Sequence, residues 1–292
     1  MRFTTNDRVK YSIYSASLFL YLVFVYNANG VRKINDIIME KQRDCLQKKC
    51  NIEGLILGGS NAFFGISATQ ISRKSNRFFI NLSLYYEGGN AKNYLNYVSS
   101  TTEQIDHKNI KWIIYSTIDF YASKIEPREV GINGEKRAID NYLIPNISLF
   151  SSLMRKFDCT LGEPVIYIGE YGDKEFWQPE KWGFSRDSFI SPNRRDLLRQ
   201  ISWLNLTYGR LFPNAKIIFL IPPILTHDLS PFQKYTNSIH RDLKKLSIPT
   251  LIQHCSRYDT SLWVDNRHVN EYGRIWRTSD LLDSLNKRGW FD

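Results

Sequence analysis

Cysteine is scarce in this chain, and it is not arranged for metal binding. The 292 residues include four cysteines, Cys45, Cys50, Cys159 and Cys255, and no two of them form a CxxC pair. Four are too few for a disulfide scaffold, and the spacing is not that of a zinc site. We therefore predict no metal and mainly free thiols, with a Cys45–Cys50 disulfide in an oxidising compartment as the alternative.

Motifs for nucleotides and nucleic acids are also lacking. Residues 58–63, GGSNAF, do not supply the GxGxxG dinucleotide fingerprint, and no lysine completes a phosphate loop before Lys74. A formal net charge of +10 favours anionic partners, such as an acidic polymer or an anionic membrane surface. The basic residues are spread thinly with no long basic arm, so we do not expect nucleic-acid binding.

One long uncharged run is present near the amino terminus. Residues 11–31, YSIYSASLFLYLVFVYNANGV, are bounded by Lys10 and Arg32. As a helix this run spans roughly 30 Å, the thickness of the bilayer core. It has no clean small-x-small cleavage site, so we favour an uncleaved anchor over a signal peptide or a buried core helix. We predict a membrane anchor over residues 1–31 and a helical stem over 32–52.

From residue 53 onward, short apolar runs alternate with helical patterns. The predicted strands are 54–57, 77–82, 111–116, 165–168, 215–221, 250–253 and 261–264, and the predicted helices include 91–102, 194–211, 233–246 and 271–287. This alternation predicts an α/β domain over 53–292 with a largely parallel sheet covered on both faces. An irregular segment of about 123–192 is either an inserted substrate-binding region or a long surface loop.

The serine after the first predicted strand is a candidate nucleophile. In residues 54–71, GLILGGSNAFFGISATQI, Ser60 follows two glycines and precedes a predicted helix. Ligands of parallel sheets bind at the carboxyl ends of strands, which is where Ser60 lies. Glycines permit the sharp turn that exposes a nucleophile, and the N–H groups after it can face an oxyanion. The alternative is a small polar residue that only closes the strand.

A histidine must activate such a serine, and one of the five histidines has a suitable setting. His268 lies three residues after Asp265, which directly follows the predicted strand over 261–264. Aspartate and histidine on one short loop can hold the imidazole in the required tautomer. We therefore predict Ser60 as nucleophile, His268 as base and Asp265 as the orienting acid, although an isolated DxxH also occurs by chance in surface turns.

Together these blocks resemble the SGNH (GDSL-like) hydrolase and acyltransferase superfamily. Residues 58–60 correspond to the family's GDS block, with glycine in place of the acid, and residues 265–273 match its DxxHxNxxG form. The resemblance implies a three-layer, flavodoxin-like fold and acyl transfer by the serine. It also implies an oxyanion hole made by the Ser60 N–H and by Gly88 or Gly89, which follow the second strand.

The family's third block, GxND, is not matched. If residues 116–119, STID, align with it, Ile118 stands where the asparagine is expected. Losing one oxyanion donor typically costs about 2.7 to 4 kcal/mol in the transition state. Three outcomes follow: Ser116, Asn61 or Asn90 replaces the donor, turnover is slow, or catalysis has been lost.

The resemblance extends to function. An anchored domain of this kind is similar to bacterial proteins that add or remove O-acetyl groups on cell-surface or exported polysaccharides. It implies a polysaccharide or acylated sugar as substrate, a membrane acyl-donor protein as a further partner, and no cofactor. It places the chain in the bacterial inner membrane with a single pass and a periplasmic domain. The alternative is a catalytically inactive glycan-binding or assembly protein on the same fold.

Overall fold

A computed structural model gives the architecture of the chain. It describes residues 14–18, 21, 38–49, 51–84, 91–117, 167–175, 193–225, 229–253, 259–265 and 267–291. Within these residues lie a five-stranded sheet, a separate two-stranded hairpin and the helices that cover the sheet. The predicted α/β class is confirmed.

The central sheet is entirely parallel. Its strands are β1 (Gly54–Gly58), β2 (Phe79–Asn81), β3 (Trp112–Ser116), β6 (Lys216–Ile221) and β7 (Thr250–Ile252), in the order β2-β1-β3-β6-β7. This is the 2-1-3-4-5 order of flavodoxin-like sheets, in which the chain reverses its direction across the sheet between β1 and β3. Ligands bind at that reversal, outside the carboxyl ends of the strands.

Helices pack on both faces of this sheet. One face carries α1 (residues 38–47), α4 (Ala91–Thr102), α5 (Arg194–Leu211) and α6 (Leu229–Lys245), and the other carries α3 (Ala68–Ser75) and α7 (Glu271–Lys287). The short helix α2 (Ser60–Gly65) continues from the end of β1.

The strands are apolar because both of their faces are buried. In β3, Ile113 and Tyr115 belong to the core under α1, α4, α5 and α6, whereas Trp112 and Ile114 belong to the core under α3 and α7. Side chains alternate between the two faces of a strand, so a sheet covered on both sides needs apolar residues at consecutive positions. The α1 residue Ile38 is also fully buried in the first of these cores.

Two predicted strands differ from the structure. Residues 261–264 do not form a strand: Thr260–Leu262 is a 3-10 turn, and Trp263 makes an isolated antiparallel bridge with Val269. The reason is the preceding Asp259, whose side chain accepts a hydrogen bond from the Ser261 N–H and caps the turn. The segment predicted over 165–168 contributes β4 (Tyr167–Ile168), which pairs with β5 (Lys174–Glu175) outside the central sheet.

This β4–β5 hairpin closes the edge of the sheet at β2. The Asn81 N–H donates to the Tyr171 carbonyl at 2.8 Å. Gly172 has a φ of 76° and approaches β2 so closely that a Cβ would lie 2.3 Å from the Asn81 carbonyl oxygen. The buried Asp173 carboxylate accepts from the Ala68 N–H at 2.8 Å, at the start of α3. The hairpin therefore covers edge strand β2 and gives the Asn81 N–H a hydrogen-bond partner.

The predicted membrane localisation is contradicted. In the part of the chain that the structure describes, no helix combines the length and the apolar character needed to span a bilayer. The longest described helix, α5, has 18 residues, and five of them are charged. Of the predicted anchor over 11–31, residues 14–18 and 21 are described and helical, and the remainder lies outside the described residues. The predicted single-pass, inner-membrane protein with a periplasmic domain is therefore corrected.

Candidate active site

Three of the predicted residues meet at the carboxyl end of β1. The Ser60 Oγ lies 2.9 Å from the His268 Nε2, and the His268 Nδ1 lies 2.8 Å from the Asp265 Oδ2. Both are hydrogen-bond distances, so the imidazole connects the hydroxyl to the carboxylate. In this order of groups a histidine can take the proton of a serine hydroxyl while the carboxylate stabilises the imidazolium.

A tight turn after β1 presents Ser60. Gly58 has a φ of 129°, and a Cβ at this position would lie 1.9 Å from the Ser116 carbonyl oxygen. Only glycine therefore lets β1 run against β3 to its last residue before the chain turns into α2. Ser60 is the first residue of α2, and its N–H belongs to the first helical turn, which has no carbonyl partners within the helix.

Gly59 lies where the GDS block of the SGNH hydrolases has an acid. It is the N-cap residue of α2, with an extended backbone at φ −93° and no side-chain hydrogen bond to the helix. An aspartate at an N-cap commonly accepts a first-turn N–H, whereas glycine offers no acceptor. Helix α2 therefore begins without a side-chain cap.

A short loop holds the Asp265 carboxylate against the His268 imidazole. The Asp265 Oδ1 accepts the backbone N–H groups of Arg267 at 2.6 Å and His268 at 2.7 Å, which leaves Oδ2 for the imidazole. Burial alone would raise the pKa of Asp265, but the hydrogen bond and charge of His268, with the two backbone N–H groups, hold that pKa below its ordinary value. The carboxylate is therefore ionised at neutral pH.

Asn270 and Gly273 of the DxxHxNxxG block hold the loop against helix α7. The Asn270 Oδ1 accepts the Gly273 N–H at 2.9 Å and caps α7, while Asn270 Nδ2 donates to the Ser261 carbonyl at 2.6 Å. A Cβ on Gly273 would lie 2.3 Å from the Leu262 carbonyl oxygen. The block therefore fixes α7 against the loop that carries Asp265 and His268.

Two of the predicted oxyanion donors, Asn61 and Ser116, are engaged in contacts with protein atoms. The Asn61 Nδ2 donates to the Arg267 carbonyl at 2.9 Å. The Ser116 hydroxyl donates to the Asn61 Oδ1 over 3.4 Å. Both side chains therefore connect parts of the protein around the site. Of the other predicted donors, the Ser60 N–H lies in the first turn of α2, whereas Gly88, Gly89 and Asn90 lie outside the described residues.

A buried arginine that the sequence analysis missed completes this framework. Arg277 is 1% exposed, and its Nη1 donates to the Asn61 carbonyl at 2.6 Å. Its Nη2 donates to the Ser116 Oγ at 3.1 Å, and its Nε donates to the Gln253 Oε1 at 2.6 Å. Arg277 lies four residues before Leu281 on the buried face of α7, but this spacing alone does not distinguish it from an ordinary surface arginine.

A lysine lies against the aromatic ring beside His268. The Phe64 ring packs edge-on against the imidazole, with 5.8 Å between ring centroids, and the Lys174 Nζ lies 5.2 Å from the Phe64 centroid. Burial, reinforced by the charge of Arg274, lowers the pKa of Lys174 to about 8.

Replacing Lys174 with methionine is expected to stabilise the fold at neutral pH. Below about pH 8 the ammonium is charged in both the folded and the unfolded states, so the folded chain carries the full cost of burying it. As pH rises from about 8 to about 10.4 the folded state releases its proton first, and the wild-type chain gains stability across that window. Because Lys174 is only partly buried, solvent screens part of this cost, and we expect Lys174→Met to raise the free energy of unfolding by about 1 kcal/mol at pH 7.

Urea unfolding at pH 7 and at pH 10 measures this difference. The gain from Lys174→Met should shrink strongly at the higher pH. The exposed Lys234 on α6 provides the control Lys234→Met, since removing an ammonium from the surface relieves no burial. A gain from Lys174→Met that is equal at both pH values would contradict the assignment.

Comparison with known proteins gives distant structural similarity only. No protein-family model and no curated protein sequence matches the chain. A family two carbohydrate esterase from Clostridium thermocellum, solved with cellohexaose, is similar at a TM-score of 0.44 and 11% identity. The similarity covers 82% of this chain and 65% of that one, so this chain spans less than two thirds of its length. An acetyl xylan esterase from the rumen bacterium Butyrivibrio proteoclasticus is similar at a TM-score of 0.37 and 13% identity, over 82% of this chain and 65% of its own. At these scores and identities, neither likeness is evidence of what this chain binds or catalyses.

Proposed function

We propose that this chain is an SGNH-type serine esterase or O-acyltransferase. The observation that carries the proposal is the continuous series of hydrogen bonds from the Ser60 Oγ through both ring nitrogens of His268 to the Asp265 carboxylate. A serine hydroxyl is a weak nucleophile by itself, and this arrangement gives it a base and gives the base a fixed tautomer. The place of Ser60 at the carboxyl end of β1, beside the reversal of strand order, also supports a ligand site.

Acyl transfer follows in two halves. The Ser60 Oγ attacks the ester carbonyl and passes its proton to the His268 Nε2, while the ionised Asp265 stabilises the imidazolium. The Ser60 N–H, with Gly88 or Gly89, holds the oxyanion of the tetrahedral intermediate. His268 then protonates the leaving alkoxide, and the acyl group remains on Ser60. Water or a sugar hydroxyl then attacks the acyl-Ser60 ester and gives its proton to His268. The acyl group leaves with this acceptor, and His268 returns the proton to the Ser60 Oγ.

The substrate class we propose is an O-acetyl ester on a bacterial cell-surface or exported polysaccharide. The resemblance of residues 58–60 and 265–273 to SGNH blocks supports the ester chemistry, and the formal net charge of +10 favours a glycan that carries acidic groups. Water as the acceptor makes the reaction a deacetylation. A sugar hydroxyl as the acceptor makes it an O-acetylation that draws on a separate acyl donor.

The test is acetate release by the purified chain. It should release acetate from p-nitrophenyl acetate. It should also release acetate from an acetylated anionic polysaccharide, and more efficiently than from a neutral acetylated polysaccharide. Adding unacetylated glycan to the p-nitrophenyl acetate reaction separates the two acceptors, because a transferase moves acetyl to the sugar. A well-folded chain that binds the glycan but neither releases acetate from any ester nor transfers acetyl to the sugar would contradict the proposal and favour the inactive glycan-binding alternative.

A further inference from the structure

We infer that Asn61 and Arg277 form a buried link that positions the nucleophile and the base relative to each other. The inference rests on the proposed function, because it concerns the geometry of Ser60 and His268. Neither residue is the proposed nucleophile, base or acid. Each acts by holding other residues of the site in place. We therefore assign them as positioning residues.

Asn61 connects the two halves of the site directly. It follows Ser60 in α2 and is 2% exposed. Its Nδ2 donates to the carbonyl of Arg267, which immediately precedes His268, at 2.9 Å. One side chain therefore joins the helix that carries the nucleophile to the loop that carries the base. A change in this contact would alter the distance between the Ser60 Oγ and the His268 Nε2.

Arg277 fixes Asn61 from the opposite side. Its guanidinium donates to the Asn61 main-chain carbonyl at 2.6 Å and to the Ser116 Oγ at 3.1 Å. The Ser116 hydroxyl in turn meets the Asn61 side chain, so Arg277 restrains both the backbone and the amide of that residue. Gln253, after β7, accepts from the Arg277 Nε at 2.6 Å and donates to the Arg277 carbonyl at 2.9 Å.

Stability alone is a weak reason for this arrangement. Burying a guanidinium carries a large desolvation cost, and apolar side chains of similar volume often replace buried charged groups without loss of stability. An apolar side chain cannot hold the Asn61 carbonyl, the Ser116 hydroxyl and Gln253 at fixed positions. Catalysis depends on such positions, because a misplacement of about 1 Å can cost about 100-fold in rate.

The test compares kcat and KM for p-nitrophenyl acetate with the urea midpoint in the wild type, Asn61→Leu and Arg277→Met. We expect each variant to lose about 10- to 100-fold in kcat with KM changed by less than about threefold. The double variant should lose no more than about the worse single variant, because both remove one link. Arg277→Lys, which keeps the charge but not the fork of donors, should lie between the wild type and Arg277→Met.

The control removes a partly buried hydrogen bond at the opposite end of the sheet. The Trp112 Nε1 donates to the Trp290 carbonyl at 2.7 Å, at the amino end of β3. Trp112→Phe deletes this donor, so it should lower the urea midpoint and leave kcat within about twofold of wild type. A purely structural role for Asn61 and Arg277 would give their variants the same behaviour.

The outcomes separate the inference from the proposed function. A folded wild-type chain with neither esterase nor acetyl-transfer activity overturns both. An active wild type, with kcat unchanged within about twofold in Asn61→Leu and Arg277→Met, overturns the inference alone. If Arg277→Met does not fold, Gly65→Ala decides, since a Cβ there would lie 2.1 Å from the Arg277 Nη1 and displaces the guanidinium without removing it. Unchanged kcat in folded Gly65→Ala and Arg277→Lys overturns the inference, and a fall in both supports it.

Discussion

Ser60→Ala and His268→Ala should each lower kcat for an acetyl ester by about 10⁴-fold or more, and the double variant should be no slower than either single one. The reason is that the hydroxyl and the imidazole act as one unit across their 2.9 Å contact. Without the base, the serine keeps its proton, and without the serine, the base has no nucleophile to activate. Single-turnover kinetics on all three variants measures this lack of additivity.

Asp265→Asn tests the carboxylate at the end of the hydrogen-bond series that runs from Ser60 through His268. An asparagine can keep the shape of the loop, but its amide changes which ring nitrogen of His268 carries the proton, and a loss near 10⁴-fold in kcat is expected. Asp259→Asn is the matched control, because Asp259 lies on the same segment and caps the 3-10 turn, a role that asparagine also fills. Independent, multiplying losses for Ser60 and His268, or equal rates for the two aspartate variants, would contradict a shared mechanism.

Gly58→Ala should produce the largest loss of stability among single methyl additions near the site. The backbone there has a φ of 129°, and the added Cβ would lie 1.9 Å from the Ser116 carbonyl oxygen and 2.7 Å from its carbon. Both neighbours are backbone atoms of the adjacent strand β3, so they cannot move without breaking the β1–β3 register. We expect a cost of about 3 kcal/mol or more, with loss of activity because Ser60 is two residues away.

Gly209→Ala provides the matched control for this change. Gly209 lies within helix α5, and a Cβ there would meet only the Ile217 Cδ1, at 3.8 Å. Alanine favours helix over glycine by up to about 1 kcal/mol, so this variant should be as stable as the wild type or more stable. Urea midpoints for both variants check the prediction. A Gly58→Ala chain with a wild-type midpoint would show that β1 does not approach β3 as closely as described.

The three residues whose side chains meet at the end of β1 could be selected from the sequence because their signals are local. A serine after an apolar run and an aspartate three residues before a histidine are both visible in short stretches, and parallel strands deliver their ends to one edge. Arg277 could not be found in this way. Its partner Asn61 is 216 residues away in the chain, and a buried arginine on an amphipathic helix has no distinctive pattern.

The predicted strand over 261–264 shows a second limit of sequence reasoning. Trp263 and Val264 are β-favouring and buried, as an interior strand would be. The backbone there is instead bent by two side chains that bind Ser261. The Asp259 carboxylate accepts the Ser261 N–H, and the Asn270 Nδ2 donates to the Ser261 carbonyl. Such side-chain contacts with the backbone override the propensity of the apolar residues between them. The same bend is what brings Asp265 and His268 to the end of β1.

The most direct test of the central claim, that His268 and Asp265 activate Ser60, is labelling with a fluorophosphonate followed by peptide mass mapping. The wild-type chain should take up one phosphonyl group, on Ser60, and folded Ser60→Ala and His268→Ala should take up none under the same conditions. A folded wild-type chain that remains unlabelled would contradict the claim. A label that persists in Ser60→Ala would contradict it equally, because the reactive group would then lie elsewhere.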